Sequence, residues 1–282
     1  MTQSTLSVGI AELERLLGAS LVERTKRAVR FTSLGEEVVA RAQEVVRAAE
    51  DLYAVAQGAR EPLVGPLRLA AIPTIAPYLL PRILADLDAR WPRLRLFVRE
   101  MLTGPACEAL VRGAVDCVLL ALPAACGEVD TVEIAVDRLV LATLASEGAD
   151  GSVAVDAIDP ERLLLLEDGH CLRDHALAAC SLATAAPDAL LVASTLQTVV
   201  QLVEAGRGIS FLPEMAVKAG ILRNSHVLSH AVDGPGAERR IALAWRRGHP
   251  RNAEFRLLGE CIRQLVATPL PAPAPADAGA IG

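Results

Sequence analysis

The sequence predicts an α/β protein led by a short, locally basic helical segment, and three patterns carry that prediction. Residues 1–32 combine a helical apolar pattern with the cationic run Arg24, Lys26, Arg27 and Arg30. Residues 33–61 keep apolar residues at spacings of three and four, and from residue 67 short apolar runs alternate with helical ones. The 282 residues are 52% apolar and 22% charged, enough to bury a core and to hold two or three domains. A net charge of -6 excludes a chain that is basic over its whole length, so any contact with nucleic acid must be regional.

In the opening segment Leu6, Ile10, Leu13 and Leu17 share one helix face. Five cations, counting Arg15, face the carboxylates of Glu12, Glu14 and Glu23, which leaves a local charge of +2. Such runs are commonly solvated faces; this one follows an amphipathic helix, where it suits phosphate. SLGEEVVARAQEVVRAAEDLYAVAQGAR then places Leu34, Val38, Ala42, Val45, Ala49, Leu52 and Ala56 on a narrow seam suited to a second, dimerising helix, with packing onto its own domain as the alternative. Gly58, Pro62, Gly65 and Pro66 mark a linker.

Beyond it, LRLAAI, LRLFVRE and DCVLLAL read as strands separated by helices around YLLPRILADLDARW and CEALVRGA, a βαβ pattern. LVLATL, RLLLLE, LLVAS, GISFLP and RRIALAWR read as later strands, with helices at 195–206 and 253–267. The tail PLPAPAPADAGAIG has too little to bury and is expected to be disordered. The start lacks a signal peptide's basic and apolar regions, and no stretch approaches the ~18 apolar residues of a membrane span, so a cytoplasmic protein without membrane contact is expected.

The six cysteines lack C-x-x-C spacing, which disfavours a zinc ribbon and a secreted disulfide framework and makes reduced thiols the expectation. No metal and no cofactor are expected. Cys107, Cys117, Cys126 and Cys261 lie in apolar or helical patterns and read as structural.

Cys171 and Cys180 stand in EDGHCLRDHALAAC. Asp168 and Gly169 look like a helix start, which puts Cys171 in the first turn with His170 and Arg173 available to lower its thiol pKa. If the helix runs on to Cys180, nine residues separate the Cα atoms by about 13.5 Å, against a disulfide limit of about 7 Å. A bridge between them then requires the segment to unwind. Two alternatives stand beside a redox pair: buried structural thiols, and metal or haem ligation by His170, Cys171, His175 and Cys180.

QSTLSVGIAELERLLGASLVERTKRAVRFTSLGEEVV resembles the recognition helix, basic wing and linker helix of LysR-type transcriptional regulators. The resemblance implies promoter DNA as partner, with Gln3, Thr5 and Ser7 at bases or phosphates and Arg24, Lys26 and Arg27 at phosphates. Members of that family carry further helices before the recognition helix, whereas this sequence opens almost at it, with Ser4 where proline is usual. Leu6, Ile10 and Leu17 would then lack part of their cover, and either the start is assigned too late or the regulator is shortened, with impaired DNA binding.

AAIPTIAPYLLP, VDCVLLAL, LLLLEDGHCLRDHALAAC and STLQTVVQLVEAGRGISFLP resemble the peroxide-sensing members of the family, so that the likeness covers most of residues 1–268. It implies a two-lobed effector domain of the periplasmic-binding-protein type 2 fold. The expected organisation is a partial winged helix-turn-helix at 1–32, a linker helix at 33–61, lobe I at 62–137 and 240–268, and lobe II at 138–239. It further implies that hydrogen peroxide oxidises Cys171, that Cys180 closes a disulfide with it, and that the change stays local to residues 170–184. Thr74 and Thr103 would hold peroxide, with a strand-end cap and a turn residue as their plain alternatives; His170, Arg173 and Asp174 would tune or orient the site. Leu190 departs from the histidine common at that place, and His175 and Leu182 are local variations without a reading. Homodimers or homotetramers and RNA polymerase are the implied protein partners. Two rivals remain: a regulator gated by an organic ligand near Thr74, Ser194 and Thr195, and a thiol peroxidase.

Overall fold

The computed structural model describes residues 3–24, 29–58, 61–147, 151–180, 191–234 and 236–268, and the chain forms two compact units, Met1–Gln57 and Gly58–Gly282. In the first unit, helix α1 (Gln3–Leu17) leads into the antiparallel hairpin of β1 (Val22–Arg24) and β2 (Val29–Phe31), followed by the long helix α2 (Ser33–Gly58). The Glu14 carboxylate accepts from the N–H groups of Leu21 and Val22 at 2.7 and 3.1 Å, tying α1 to the hairpin. Thr32 caps α2: its hydroxyl donates to the Ser20 carbonyl and accepts from the Gly35 N–H at 2.9 Å. A Cβ at Gly35 would stand 2.0 Å from the Leu21 carbonyl oxygen, so the hairpin and α2 can meet this closely only through glycine.

The expected apolar seams are solvent-facing within this unit. Leu6, Leu13 and Leu17 of α1 and Leu34, Val45 and Leu52 of α2 are exposed, while Ile10 is half-buried.

The second unit opens with β3 (Gly65–Ala71), α3 (Ala76–Arg90), β4 (Leu94–Glu100), α4 (Thr103–Val111) and β5 (Cys117–Leu122), and β3 pairs in parallel with both β4 and β5. Beyond them come β6 (Val129–Leu144), β7 (Val153–Ala154), β8 (Leu165–Leu166), α5 (Cys171–Ala179), β9 (Val192–Ala193), α6 (Leu196–Glu204), β10 (Ser210–Pro213), α7 (Glu214–Lys218), β11 (Val227–Asp233), β12 (Glu238–Arg246) and α8 (Asn252–Ala267).

β6 joins the two lobes. Its first part, up to Arg138, pairs antiparallel with β12, and its remainder, from Leu139, pairs antiparallel with β10 and β11. Two apolar cores follow from this division. One gathers Leu67, Ile72, Leu119, Trp245 and Phe255; the other gathers Leu139, Leu165, Val200, Phe211 and Leu212. Full burial of each such side chain contributes about 1.5–3 kcal/mol, so each lobe has its own driving force.

The βαβ pattern therefore holds for β3 to β5 and again for β8 and β9, which flank α5 and pair in parallel, whereas the return through β12 is antiparallel. β6 extends well beyond LVLATL because its first half, VDTVEIAV, lies in the sheet with alternating exposure. The tail from residue 269, like Leu182 and Leu190, lies outside the described residues.

Candidate functional site

α5 begins where the chain turns out of β8. Gly169 adopts φ +95°, and a Cβ there would meet the Leu102 side chain at 3.3 Å, so this residue permits both the turn and close packing against the start of α4. His170 is the N-cap residue and Cys171 the first helical one. Most of the buried face of α5 belongs to the second core, through Leu172, Ala176 and Ala179, whereas Cys171 belongs to the first. The thiol thus lies at the seam of the lobes, buried at 6% exposure.

Three elements converge on it. Burial pushes the Cys171 thiol up, but a hydrogen bond with His175, the Arg239 charge and the Thr103 hydroxyl together hold it below the ordinary thiol value. The His175 imidazole is desolvated, which disfavours its charge, yet its bonds to the Cys171 thiol and to the Cys171 and Leu122 carbonyls raise its pKa. Thiol and imidazole form a coupled pair in which each favours the charged form of the other. At a helix N-terminus the backbone dipoles add to the same effect.

Arg239 is fully buried at the start of β12. Its guanidinium grips Asp137 through Nε at 3.1 Å and Nη2 at 3.0 Å, and donates to the Thr74 hydroxyl at 2.8 Å and the Thr74 carbonyl at 3.0 Å. The other Asp137 oxygen accepts from the Met215 N–H at 2.9 Å. This network fixes the cation beside the thiol without requiring a charge on the helix itself.

The groups that lower the Cys171 thiol pKa do not include His170 or Arg173. Burial lowers the pKa of His170, against the opposing effect of Glu167 and the Ser194 carbonyl, so its ring favours the neutral form. Arg173 is turned away, binding Asp168 at 3.0 Å and the Leu166 carbonyl at 3.2 Å. Asp174 is exposed on the first turn of α5. The positive character comes from His175, which the sequence placed beside Cys171 only as an alternative metal or haem ligand, and from Arg239, which it did not place here. His175 had one available signal, its helical i+4 spacing from Cys171; Arg239 had none, because it arrives from β12.

Thr74 is buried in the Arg239 network. Thr103 begins α4, and its Oγ1, which acts on the Cys171 thiol, is buried, as is Nδ1 of His170; neither atom meets a nitrogen or oxygen partner among the described residues. Such atoms suit a small polar molecule able to donate and accept. Cys180 caps the far end of α5, half-buried, and burial raises its thiol pKa. The helix between is unbroken, so the two Cα atoms stand about 13.5 Å apart and both thiols are free.

Cys107 and Cys126 are not reduced structural thiols as expected: they form a disulfide, with Cα atoms 4.6 Å apart. The loop after β5 returns Cys126 to the side of α4, a proximity that a separation of 19 residues does not announce. Cys117 and Cys261 are free and buried. Among the described residues no group of three or more histidine, cysteine or acidic side chains is placed to hold a metal ion.

Of the residues assigned to DNA, Gln3, Thr5 and Ser7 occupy the first turns of α1, with Thr5 exposed and Ser7 half-buried. Arg24 ends β1, while Lys26 and Arg27 lie outside the described residues. Ser194 and Thr195 are exposed before α6, and the Thr195 hydroxyl caps that helix by accepting from the Thr198 N–H.

Residues 1–36 match the bacterial regulatory helix-turn-helix family of the lysR type, and residues 60–267 match the LysR substrate binding domain. The HTH-type transcriptional regulator EstR of Acinetobacter baylyi is 39% identical over 95% of this chain and 89% of its own. The DNA-binding transcriptional dual regulator OxyR of Escherichia coli is 37% identical over 93% of this chain and 87% of its own. A hydrogen-peroxide-bound OxyR mutant from Corynebacterium glutamicum superposes with a TM-score of 0.71 at 30% identity, covering 95% of this chain and 85% of that one. A helix-turn-helix unit and a type 2 binding-protein fold, with these relatives, settle the lineage: the chain belongs to the LysR family of transcriptional regulators and is a close homologue of OxyR.

Proposed function

We propose that this regulator senses hydrogen peroxide through Cys171 and answers by forming a disulfide with Cys180. One observation carries the reading: a buried thiol at a helix N-terminus, held toward thiolate by His175, Arg239 and Thr103, with a second free thiol at the far end of the same helix. Relatives named as OxyR, and a peroxide-bound neighbour, support it. Thr103 Oγ1 and His170 Nδ1 offer hydrogen bonds to the peroxide, and Thr74 holds Arg239 in place. Sulfenic acid forms at Cys171; attack by Cys180 releases water and requires α5 to unwind. Arg173 and Asp174 then orient the start of that helix rather than tune the thiol.

The same reading assigns DNA contact to Gln3, Thr5, Ser7, Arg24, Lys26 and Arg27, and lobes I and II to residues 62–137 with 240–268 and 138–239. It makes the exposed seam of α2 a dimer contact, with tetramers through the effector domains and RNA polymerase as partner. No helix among the described residues is long and apolar enough to cross a membrane. As a regulator acting on promoter DNA, like its OxyR relatives, the protein is assigned to the cytoplasm.

The test is footprinting of promoter DNA with reduced and oxidised protein, wild type beside Cys171→Ser. Wild type should shift its footprint on oxidation and the variant should not; identical footprints for reduced and oxidised wild type refute the proposal. A cavity of about 380 Å³ lined by Thr74, Glu100, His170 and Thr195 favours a second reading, gating by an organic ligand between the lobes. That reading requires Cys171→Ser to keep a normal response.

A further inference from the structure

His175 lies one turn along α5 from Cys171, between two acceptors. Its Nδ1 is 2.6 Å from the Cys171 carbonyl oxygen and its Nε2 is 3.2 Å from the carbonyl oxygen of Leu122, the last residue of β5. A carbonyl oxygen accepts and cannot donate, so each ring nitrogen must bring a hydrogen. Only the imidazolium has two; either neutral tautomer would turn a lone pair toward one of the carbonyls. The ring also lowers the pKa of the Cys171 thiol, which in turn raises that of the ring. The geometry thus describes an imidazolium clamped across the seam, from α5 of one lobe to β5 of the other, whose charge favours the thiolate of Cys171.

The other groups are poorer acids: His170, whose Nδ1 is buried without a partner among the described residues, is held toward its neutral form by burial. Arg239 faces the thiol from β12 with its guanidinium committed to Asp137 and Thr74, and an arginine does not release a proton in this range. Thr103 faces it from α4 with a hydroxyl that does not ionise. Facing His175 itself are the Cys171 thiol, on its own helix, and the Leu122 carbonyl of β5.

We infer that His175 is the acid of the sensing step and the latch that the step releases. The inference rests on Cys171 being the peroxide-reactive thiol. The Cys171 thiolate attacks one oxygen of hydrogen peroxide, the S–O bond forms and the O–O bond breaks; sulfur loses two electrons and the peroxide gains them. The leaving hydroxide takes the proton of His175 and departs as water. The products are a neutral sulfenic acid and a neutral imidazole, so the charge pair that held the start of α5 is gone. The neutral ring keeps one hydrogen for two carbonyls and must give up one of its two contacts. Loss of the contact to Leu122 unties α5 from β5 at the moment when the helix has to unwind to bring Cys180 to Cys171. Oxidation and loosening are then one proton transfer.

The full-length protein carrying Cys180→Ser, in which oxidation stops at the sulfenic acid, is compared with the same protein carrying also His175→Gln. Glutamine keeps a donor for a carbonyl but holds no titratable proton. The readout is the rate of sulfenic acid formation at Cys171, trapped with dimedone and followed by mass spectrometry across pH 5 to 9. With His175 present the rate should rise as the thiol ionises and fall again as the imidazolium is lost. With glutamine it should be roughly 10²-fold slower near neutral pH and should lack the descending limb. Equal rates and equal pH profiles overturn the inference while leaving the sensor reading intact; a Cys171 that peroxide does not modify overturns both. Should the glutamine variant fold poorly, the His175 ring resonances of the Cys180→Ser protein supply an independent measure. They should move from the imidazolium to the neutral position on oxidation at neutral pH, and resonances that do not move overturn the inference.

Discussion

Two cysteine pairs in the effector unit invert what distance along the chain suggests. Cys107 and Cys126, separated by 19 positions, are joined with Cα atoms 4.6 Å apart; Cys171 and Cys180, separated by nine, are held about 13.5 Å apart by the helix between them. Closing either ring removes similar entropy from the unfolded chain, about 3 kcal/mol in the loop-closure model. The difference lies in the folded state. The first bridge ties the loop after β5 to α4, which stays helical through Cys107, while the second requires α5 to be dismantled. A pair of the first kind braces a structure, and a pair of the second kind can signal, because its bridge and its helix exclude each other.

The largest effect expected from breaking this contrast falls on the braced pair. Replacing Cys107 and Cys126 together by alanine should cost the effector unit about 3 kcal/mol in the absence of both peroxide and reductant, read as a lower urea midpoint. Dithiothreitol should lower the wild-type midpoint similarly, and the double variant should not respond to it. The trapping of sulfenic acid at Cys171 should persist. An unchanged midpoint in the variant would mean that the bridge stabilises nothing.

The contrast also shows what could be read from the sequence. β3, β4 and β5 were legible because each is an uninterrupted or alternating apolar run between turn residues. β11 was not, since VLSHAVD breaks its apolar pattern with Ser229 and His230; His230 is buried and paired with Thr143 at 3.0 Å, a partner 87 positions away. The five residues of α7 are too few for a helical period to show. At the site, Cys171 and its helix start were visible in EDGHCLRD because the relevant forces are local. Arg239 was hidden because its partners, Asp137 and Thr74, are 102 and 165 positions away. Only the fold brings those three together, so the sequence around Cys171 pointed to the nearby His170 and Arg173 instead.

Protons divide the two regions as well. His175 in the switching helix is held toward its charged form, whereas His249, in the braced lobe, is pushed down to about 4. Burial is the main cause, with Arg246 next, and the ring packs edge-on to Phe255 while Nδ1 accepts from the Arg251 N–H at 3.1 Å. The unfolded chain takes up a proton here near pH 6.5, while the folded one does so only near 4. Stability is therefore fully present above pH 6.5 and is lost as the pH falls through that window. The whole shift converts to about 3 kcal/mol, of which we expect roughly half after solvent screening. Urea midpoints at pH 7 and 4.5 should differ by less in His249→Asn, which keeps an acceptor for the Arg251 N–H; an undiminished difference would place the acid sensitivity elsewhere.

The smallest expected effect on stability belongs to Cys180, although it is half of the proposed signal. Its side chain is half-buried at the C-terminal end of α5 and packs against the edge of the second core. Serine has nearly the same shape, and the lost apolar contact should cost no more than about 1 kcal/mol in the reduced protein. Peroxide should still form sulfenic acid at Cys171, since none of the groups that favour that thiolate involves Cys180. What should disappear is the intramolecular bridge, and with it the force that keeps α5 unwound. Hydrogen exchange separates the two stages: the oxidised wild type should lose amide protection along residues 171–179, whereas the oxidised variant should lose it only in the first turn, where His175 no longer holds both carbonyls. Full loss of protection in the variant would show that sulfenic acid alone melts the helix, and that Cys180 serves to trap a state already reached.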